Sequence, residues 1–243
     1  LDTVNDGAVL SKIHCKSTWN DLDSFDPEKL EKSNWVACIN DICTETKINP
    51  KRIKSIITAI SGKNLSIKEI TTLEMNEDEL YQSLEFEAKK HIPLDGTEAV
   101  MDYSIIGSNQ SEIDKIDVLL VATTKNIIKQ FDSIVRDSGF KNSIFDAEPI
   151  ALANCMTHNY GVSEDGIDII LDIGTSTSTL VVSGKSQTFF TREIEISGFT
   201  IIKEIMNKYN TDYSDAKNIL DSDGIQSLDS NTAAGMGDSN AFS

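Results

Sequence analysis

The chain has 243 residues and a formal net charge of −17 at pH 7. This charge argues against nucleic acid or an anionic membrane surface as the main partner, because both would repel the protein. It fits plain solubility, or attraction of a basic partner segment. No apolar run reaches the roughly 20 residues that cross a bilayer, and the first residues, "LDTVNDGAVL", lack a signal-peptide pattern. The first residue is not Met, which leaves open a natural chain that begins further upstream.

Residues 1–64 predict one helix and one buried strand. Asp26-Pro27-Glu28 is typical of a helix start, with a capping carboxylate, a proline in the first turn and an acid beside it. Asn49-Pro50 then interrupts the chain. The run Ile53–Ser61 predicts a buried strand, and Gly62–Asn64 predicts a turn.

Residues 65–140 predict a small α+β module in the order strand, helix, strand, strand, helix. Leu65–Leu73 alternates as a half-buried strand does. Asn76 is positioned to cap a helix with an acidic first turn and a basic last turn, which both suit the helix dipole. Four apolar residues form one stripe on this helix: Leu80, Leu84, Ala88 and Ile92. The later elements are strands at Val100–Ile106 and Ile116–Thr123 and a helix from Lys125 that ends at Gly139.

The remaining third of the chain predicts a second group of strands. Ser143–Met156 reads as a short strand entering a helix, and "THNYGVSEDG" as a polar linker. Three strands follow, at Ile167–Ile173, Thr177–Ser183 and Gln187–Ile196. A helix from Gly198 and a last helical segment capped by Asp212 come next. The tail, 221–243, has no apolar period and is expected to be disordered or a loop.

The stretch "LDIGTSTSTLVV" holds the clearest chemical motif. An apolar strand ends at Asp172, Gly174 follows, and hydroxyl residues lead into another apolar strand, which is typical of a hairpin with a tight turn. The glycine permits positive φ and a close approach to the backbone. Turn N–H groups and hydroxyls form an anion site, and an aspartate suits a hydrated divalent cation. The motif indicates a site for nucleotide phosphates with magnesium, or an ordinary hairpin whose polar side chains satisfy turn amides.

Other site classes find little support in the sequence. The Walker A pattern is absent, which excludes a P-loop as the source of phosphate binding. The four cysteines form no CxxC pair and the three histidines are far apart, so no metal centre of these residues is expected. The cysteines are expected to be reduced, buried thiols.

A second segment, "AEPIALANC", puts Glu148-Pro149 at a helix entrance with small alanines beyond it. The hairpin and this segment resemble two nucleotide-pocket elements of the actin-like ATPase superfamily, the second phosphate loop and the connecting helix. The resemblance implies that Asp172 organises magnesium and that Glu148, the candidate catalytic residue, lies near the metal-bound water. It also implies that ATP phosphates contact the turn residues Gly174, Thr175, Ser176 and Thr177.

Further motifs are similar to the PilM family of type IV pilus assembly, which is itself similar to the division protein FtsA. They are Glu79-Leu80 before a helix with Glu87 and Ile92-Pro93, then Asp102-Tyr103, "LLVAT", a glycine-ended helix, and "FTREIEISG" before the next helix. The resemblance runs from about Asp26 to Leu220. It implies an α/β protein with the actin-like (ribonuclease H-like) fold and an inserted α+β subdomain of the FtsA and PilM type.

The resemblance also implies a domain division. The first actin-like subdomain is expected at 1–64, the inserted subdomain at 65–140, a return to the first at 141–160, the second actin-like subdomain at 161–220 and a flexible tail at 221–243. Both actin-like subdomains are expected to be incomplete. The first phosphate loop of the family is not visible, and of its glycine-rich adenosine segment the tail offers only "AAGMG".

The function implied by the PilM resemblance is that of a cytoplasmic scaffold, peripheral to the inner membrane through its partners. It would bind ATP with magnesium and the N-terminal cytoplasmic segment of PilN, and link the pilus inner-membrane complex to the assembly motors. ATP turnover is expected to be slow or absent. Two alternatives stay open: a slow, polymerising actin-like ATPase of the FtsA type, which would self-associate, and the cytoplasmic domain of a type II secretion inner-membrane protein.

The same resemblance implies that the PilN peptide docks between the inserted module and the first domain. An extended peptide needs apolar pockets and backbone donors. The predicted contact residues are Leu80 and Leu84 on the helix and Val118 and Val121 on the strand. Ordinary core packing is the alternative role for each of them.

Overall fold

The computed structural model describes residues 2–4, 7–19, 22–26, 29–91, 98–163, 166–184 and 189–222. Within these ranges the helices are α1 (Lys32–Glu45), α2 (Glu77–His91), α3 (Lys125–Asp137), α4 (Glu148–Tyr160), α5 (Gly198–Tyr209) and α6 (Tyr213–Ser222). The strands are β1 (Asp2–Val4), β2 (Gly7–Val9), β3 (Ile56–Ile60), β4 (Ser66–Leu73), β5 (Ala99–Ser108), β6 (Lys115–Thr124), β7 (Ser143–Ala147), β8 (Asp168–Ile173), β9 (Ser178–Ser183) and β10 (Phe190–Ile194).

In the described part of the chain these strands form four sheets. β1 and β2 make a short antiparallel hairpin, and β3 and β7 make a parallel pair. The other two sheets are antiparallel and three-stranded, with the orders β4-β6-β5 and β10-β9-β8. In both three-stranded sheets the two outer strands are edge strands.

The parallel pair is the centre of the first unit. Ile56 of β3 lies opposite Ser143 of β7, although the two strands are far apart in the sequence. Side chains from α1, α3 and the loop after α3 form a buried cluster beside the pair: Cys43, Val135 and Phe140. Because β3 precedes β4 and β7 follows α3, the chain leaves this unit, builds the β4-β6-β5 sheet and returns.

The β4-β6-β5 sheet with α2 is the inserted module, and it has its own core. Alternate residues of the central strand β6 are buried: Ile116, Val118, Leu120 and Ala122. Helix α2 covers that face with Leu80, Leu84 and Ala88. Asn76 caps α2, since its Oδ1 accepts a hydrogen bond from the backbone N–H of Glu79 at 3.0 Å. The predicted helical stripe is confirmed at Leu80, Leu84 and Ala88, while its fourth residue, Ile92, lies outside the described residues.

The β10-β9-β8 sheet and the pair α5–α6 form the second unit. Ile202 and Ile205 of α5 pack against Ala216 of α6 in a buried cluster. Ser197 caps α5, because its Oγ accepts a hydrogen bond from the backbone N–H of Thr200 at 3.2 Å. Asn210, with φ of 48°, ends the helix in the left-handed conformation.

The predicted elements are present with shifted ends, and the largest difference is at α1. The helix begins at Lys32 rather than at Asp26, because the side chain of Asn34 accepts a hydrogen bond from the N–H of Glu31 at 3.0 Å and starts the helix there. Pro27 and Glu28 lie outside the described residues. α6 extends to Ser222, and the rest of the predicted tail is also outside them. The division into actin-like subdomains stays a prediction.

The cysteine prediction is half right. Cys38 and Cys43 are buried, and burial raises the pKa of both thiols. Cys15 and Cys155 are exposed, and all four are free thiols. The first residues, which gave no clear pattern, form the hairpin β1–β2.

Candidate functional site

The turn between β8 and β9 contains most of the residues predicted to hold a nucleotide. β8 ends with Asp172 and Ile173, and β9 starts at Ser178, so Gly174 to Thr177 form the connection. The two strands pair up to the turn, with Asp172 opposite Thr179 and Ile173 opposite Ser178. The predicted hairpin is therefore confirmed, with its hydroxyl residues at the tip.

Gly174 is required by close packing rather than by its φ angle. A Cβ added to Gly174 would lie 2.5 Å from the carbonyl oxygen of Thr177, a separation that no side chain tolerates. Positive φ occurs at the described glycines Gly62, Gly139 and Gly161, and Gly174 is not one of them. Of the two reasons predicted for this glycine, close backbone approach is the correct one.

The turn is fixed on one side by the start of α5. The N–H groups of Gly198 and Phe199 donate to the carbonyl oxygens of Gly174 and Thr175 at 2.9 and 3.1 Å. The segment before α5 is held as well, since Ser178 Oγ donates to the carbonyl oxygen of Ile196 at 2.6 Å. The first N–H groups of α5 are thus used within the protein and are not left for an anion.

The other side of the turn is open. Thr175 and Ser176 are exposed, and Thr177 is half-buried. Within the described residues, none of these three hydroxyls makes a hydrogen bond. An anion at this turn would therefore meet hydroxyl donors that no group in the described part of the chain already occupies.

Asp172 lies at the base of the turn with its carboxylate uncommitted. It is half-buried, and in the described part of the chain it has neither a hydrogen-bond donor nor an ion-pair partner. Those residues contain no group of three or more His, Cys, Asp or Glu side chains that could hold a metal ion. Asp172 could thus hold magnesium only if water and phosphate oxygens complete the coordination shell.

Glu148 is the first residue of α4, directly after β7. It is half-buried, and its position in the first helical turn suits the helix dipole. The next residue, Pro149, lines the same cavity as Thr179 of β9, the strand neighbour of Asp172. The two predicted nucleotide elements therefore adjoin at this cavity.

The cavity shared by Pro149 and Thr179 has a volume of about 320 Å³ and lies where the three units meet. The first unit contributes Gly62, and the inserted module contributes Leu65 to Lys68 and His91. The second unit contributes Thr179, Thr191 and Glu193. Sequence reasoning missed this cavity, because its walls come from segments that are distant in the chain.

Two contacts join the second unit to the cavity wall. The carboxylate of Glu193 lies over Gly62, where a Cβ would be only 3.1 Å from Oε2 and 3.3 Å from Oε1. Glu69 of β4 accepts a hydrogen bond from the N–H of Phe189 at 3.0 Å. The second contact joins the residue before β10 to β4.

The predicted peptide-contact residues divide into two groups. Leu80, Leu84 and Val118 have 2%, 1% and 0% exposed surface, so their side chains form the module core and leave nothing for a peptide to touch. The prediction of a contact role for these three is wrong for that reason. Val121 is half-buried and pairs with Ile67, which lines the cavity. Its role stays a prediction.

The fold and the turn define an α/β protein of the actin-like class with an inserted α+β subdomain. The family model of "Type IV pilus assembly protein PilM" matches residues 24–225. The chain belongs to this family.

Among the solved structures, one matches the fold with a TM-score above 0.5, and two further matches have lower TM-scores. The structure of a "PilM-PilN type IV pilus biogenesis complex" matches with a TM-score of 0.64 at 19% identity, over 84% of this chain and 63% of that chain. The chain thus spans 63% of the length of that PilM relative. The cytoplasmic domain of EpsL, an inner-membrane component of the type II secretion system of Vibrio cholerae, matches at TM-score 0.42 and 8% identity, over 73% of this chain and 63% of that one. MreB5 of Spiroplasma citri bound to ADP matches with a TM-score of 0.31 at 19% identity, over 40% of this chain and 31% of that chain.

None of the helices in the described part of the chain is both long and apolar enough to cross a membrane.

Proposed function

We propose that this protein is an actin-like scaffold of the type IV pilus inner-membrane assembly complex. It binds the N-terminal cytoplasmic segment of a PilN-like protein in the cavity at the junction of the three units. It binds ATP with magnesium at the turn between β8 and β9. It is located in the cytoplasm and reaches the inner membrane, and the assembly motors, through these partners.

The cavity is the observation that carries the peptide part of the proposal. It lies beside the inserted module, in a chain of the PilM family whose fold resembles that of a PilM–PilN complex. Its walls combine residues at the start of β4, Ser66 and Lys68, with the apolar side chains of Leu65 and Ile67. An extended peptide is recognised by this combination of backbone groups and side-chain pockets.

The turn supports the nucleotide part. In this proposal the hydroxyls of Thr175, Ser176 and Thr177 bind phosphate oxygens, and Gly174 keeps the turn tight enough to present them. Asp172 would hold magnesium through water, and Glu148 would lie near that water. The bound nucleotide would supply phosphate ligands to the magnesium, its turnover would be slow or absent, and it would mainly hold the units together.

The test uses the full-length protein, fluorescent ATP with magnesium, and a synthetic peptide copied from the N-terminus of the cognate PilN-like protein. Asp172→Ala is expected to weaken nucleotide binding at least about tenfold, the loss typical of a charged group, while peptide binding persists. Glu195→Ala, which removes an exposed carboxylate of the same unit, is the matched control and leaves both affinities unchanged.

Two results would contradict the proposal. If Asp172→Ala binds nucleotide as tightly as the unaltered protein, the turn is an ordinary hairpin. If the peptide does not bind the full-length protein, the scaffold function fails.

A further inference from the structure

An N-terminal segment of the chain reaches from the first unit to the helices of the second. Lys16 forms an ion pair with Glu45 of α1 at 2.6 Å. Further along, a short helical turn at Leu22–Ser24 lies beside α6. We call residues 16–19 and 22–25 the brace, because they are attached to α1 at one end and contact α5 and α6 at the other.

The first contact of the brace with the second unit is aromatic. The ring of Phe25 packs edge-to-face against the ring of Phe199 in the first turn of α5, with the ring centroids 4.8 Å apart and the planes at 89°. This arrangement is favourable for two aromatic rings. Phe25 also contacts Trp19 of the brace, with the centroids 6.1 Å apart. Three half-buried aromatic side chains therefore connect the brace to the start of α5.

The second contact is made by the carboxylate of Asp23. Its Oδ1 accepts a hydrogen bond from the backbone N–H of Tyr213, the first residue of α6, at 2.6 Å. A carboxylate at a helix start satisfies an N–H group that has no partner within the helix, and it suits the helix dipole. Because α6 packs against α5 through Ile202, Ile205 and Ala216, the brace holds both helices of the pair.

The braced end of α5 is also the end that holds the turn between β8 and β9. The N–H group of Phe199 donates to the carbonyl oxygen of Thr175 in that turn at 3.1 Å. Phe199 thus contacts the brace with its side chain and the turn with its backbone. A shift of the brace would move the first turn of α5, and the hydroxyls of the turn with it. A site whose geometry is fixed beforehand binds its ligand more tightly, because less order has to be imposed on binding.

We propose that Phe25 and Asp23 are positioning residues for the turn between β8 and β9, and that nucleotide bound at the turn is sensed at Trp19. Phe25 acts through Phe199, and Asp23 acts through α6. This inference rests on the proposed nucleotide site, and it adds the part of the chain that controls the affinity of that site. Coupling between two positions is reciprocal, so a brace that favours nucleotide binding is itself favoured by bound nucleotide.

The role of Phe25 is tested by the affinity of the full-length protein for fluorescent ATP with magnesium. Phe25→Ala removes the ring that contacts Phe199 and is expected to weaken binding about fivefold. Ile13→Ala is the matched control, because Ile13 lies shortly before the brace and is 84% exposed. It is expected to leave the affinity unchanged.

Two results of this measurement have different meanings. If the unaltered protein binds nucleotide and Phe25→Ala binds it equally tightly, the positioning role of Phe25 is overturned and the nucleotide site stands. If the unaltered protein binds no nucleotide, the proposed nucleotide site fails and the positioning role fails with it.

Asp23 is tested with two variants that separate its hydrogen bond from a general loss of the side chain. Asp23→Asn keeps an oxygen that can accept from the N–H of Tyr213, and it is expected to bind nucleotide nearly as the unaltered protein does. Asp23→Ala is expected to bind about threefold more weakly. Because Asp23 is exposed, neither variant leaves a cavity and both are expected to fold. Equal losses in the two variants, or no loss in Asp23→Ala, would overturn the role given to Asp23.

Trp19 provides a readout that a purely structural role would not change. The chain has two tryptophans, Trp19 and Trp35, so in a Trp35→Phe background all tryptophan emission comes from Trp19. ATP with magnesium is expected to shift this emission over the same concentrations at which it displaces fluorescent ATP, and Phe25→Ala is expected to abolish the shift. Constant Trp19 emission while nucleotide binds, or the same shift without the Phe25 ring, would overturn the sensing role.

Discussion

The two three-stranded sheets of this protein have the same number of strands and are both antiparallel, but they differ in how they are covered. The β4-β6-β5 sheet buries one whole face under α2, and Leu84, Val118 and Leu120 have at most 1% exposed surface. The β10-β9-β8 sheet leaves Ile169, Leu171 and Ile173 of its edge strand more than half exposed. The first sheet is built around its own core, whereas the second carries an open turn.

This difference separates stability from ligand binding. A sheet with a closed core tolerates little change in its buried side chains. Its stability does not depend on the exact conformation of its loops. A sheet whose turn must keep hydroxyls free depends instead on the exact backbone path at Gly174 and on the fixing of that path by α5. Substitutions in the two sheets should therefore affect different properties.

The largest effect is expected from Leu84→Ala in the closed sheet. Removing a fully buried leucine leaves a cavity, and the variant is expected to lose about 3 kcal/mol of unfolding free energy, measured by urea denaturation. Nucleotide binding by the folded fraction stays unchanged. Phe86→Ala on the same helix is the control, since Phe86 is 66% exposed and its loss should change stability by less than about 0.5 kcal/mol. Equal losses in the two variants would break the comparison.

Gly174→Ala is the corresponding change in the open sheet. The added methyl group meets the carbonyl oxygen of Thr177, so the turn must shift at an expected cost of about 2 kcal/mol. Nucleotide affinity falls because the hydroxyls move with the turn. Gly107→Ala is the matched control, because a Cβ there meets nothing within 4 Å. Unchanged nucleotide affinity in Gly174→Ala would remove the turn from the binding site.

The smallest effect concerns Asp117 of β6. Hydrogen bonds from Thr71 and then from Asn109 hold the pKa of this carboxyl below its usual range. Because the folded pKa is lowered, the stabilisation is present above the pKa of the unfolded chain and is lost as pH falls through the folded value. Asp117→Asn should flatten the acid limb of the pH–stability curve by less than about 1 kcal/mol, while Glu195→Gln does not. A steeper acid limb in the Asn variant would contradict this assignment.

The sequence was most informative where structure is local. The spacing of Leu80, Leu84 and Ala88 predicted the helical half of the module core, because this pattern directly reflects which face is buried. Asp172 and Gly174 likewise predicted the hairpin and its tight turn. The start of α1 was misplaced, because two capping patterns lie close together and Asn34 determines which one begins the helix.

The cavity could not be predicted from such patterns. Gly62, His91 and Glu193 are brought together by the packing of three units, and no local spacing records that packing. The same limit explains why core leucines were predicted to contact a peptide. An apolar stripe shows that a face is covered, but not whether the cover is the protein's own strand or a partner.

The parallel pairing of β3 with β7 has a consequence for how the chain reaches its native state. The two strands are separated in sequence by the whole inserted module, and closing so long a loop is entropically costly. A module that has already folded brings its own ends close and shortens the segment that remains to be closed. We therefore expect the module to act as an early nucleus, and the pairing of β3 with β7 to be a late event in folding.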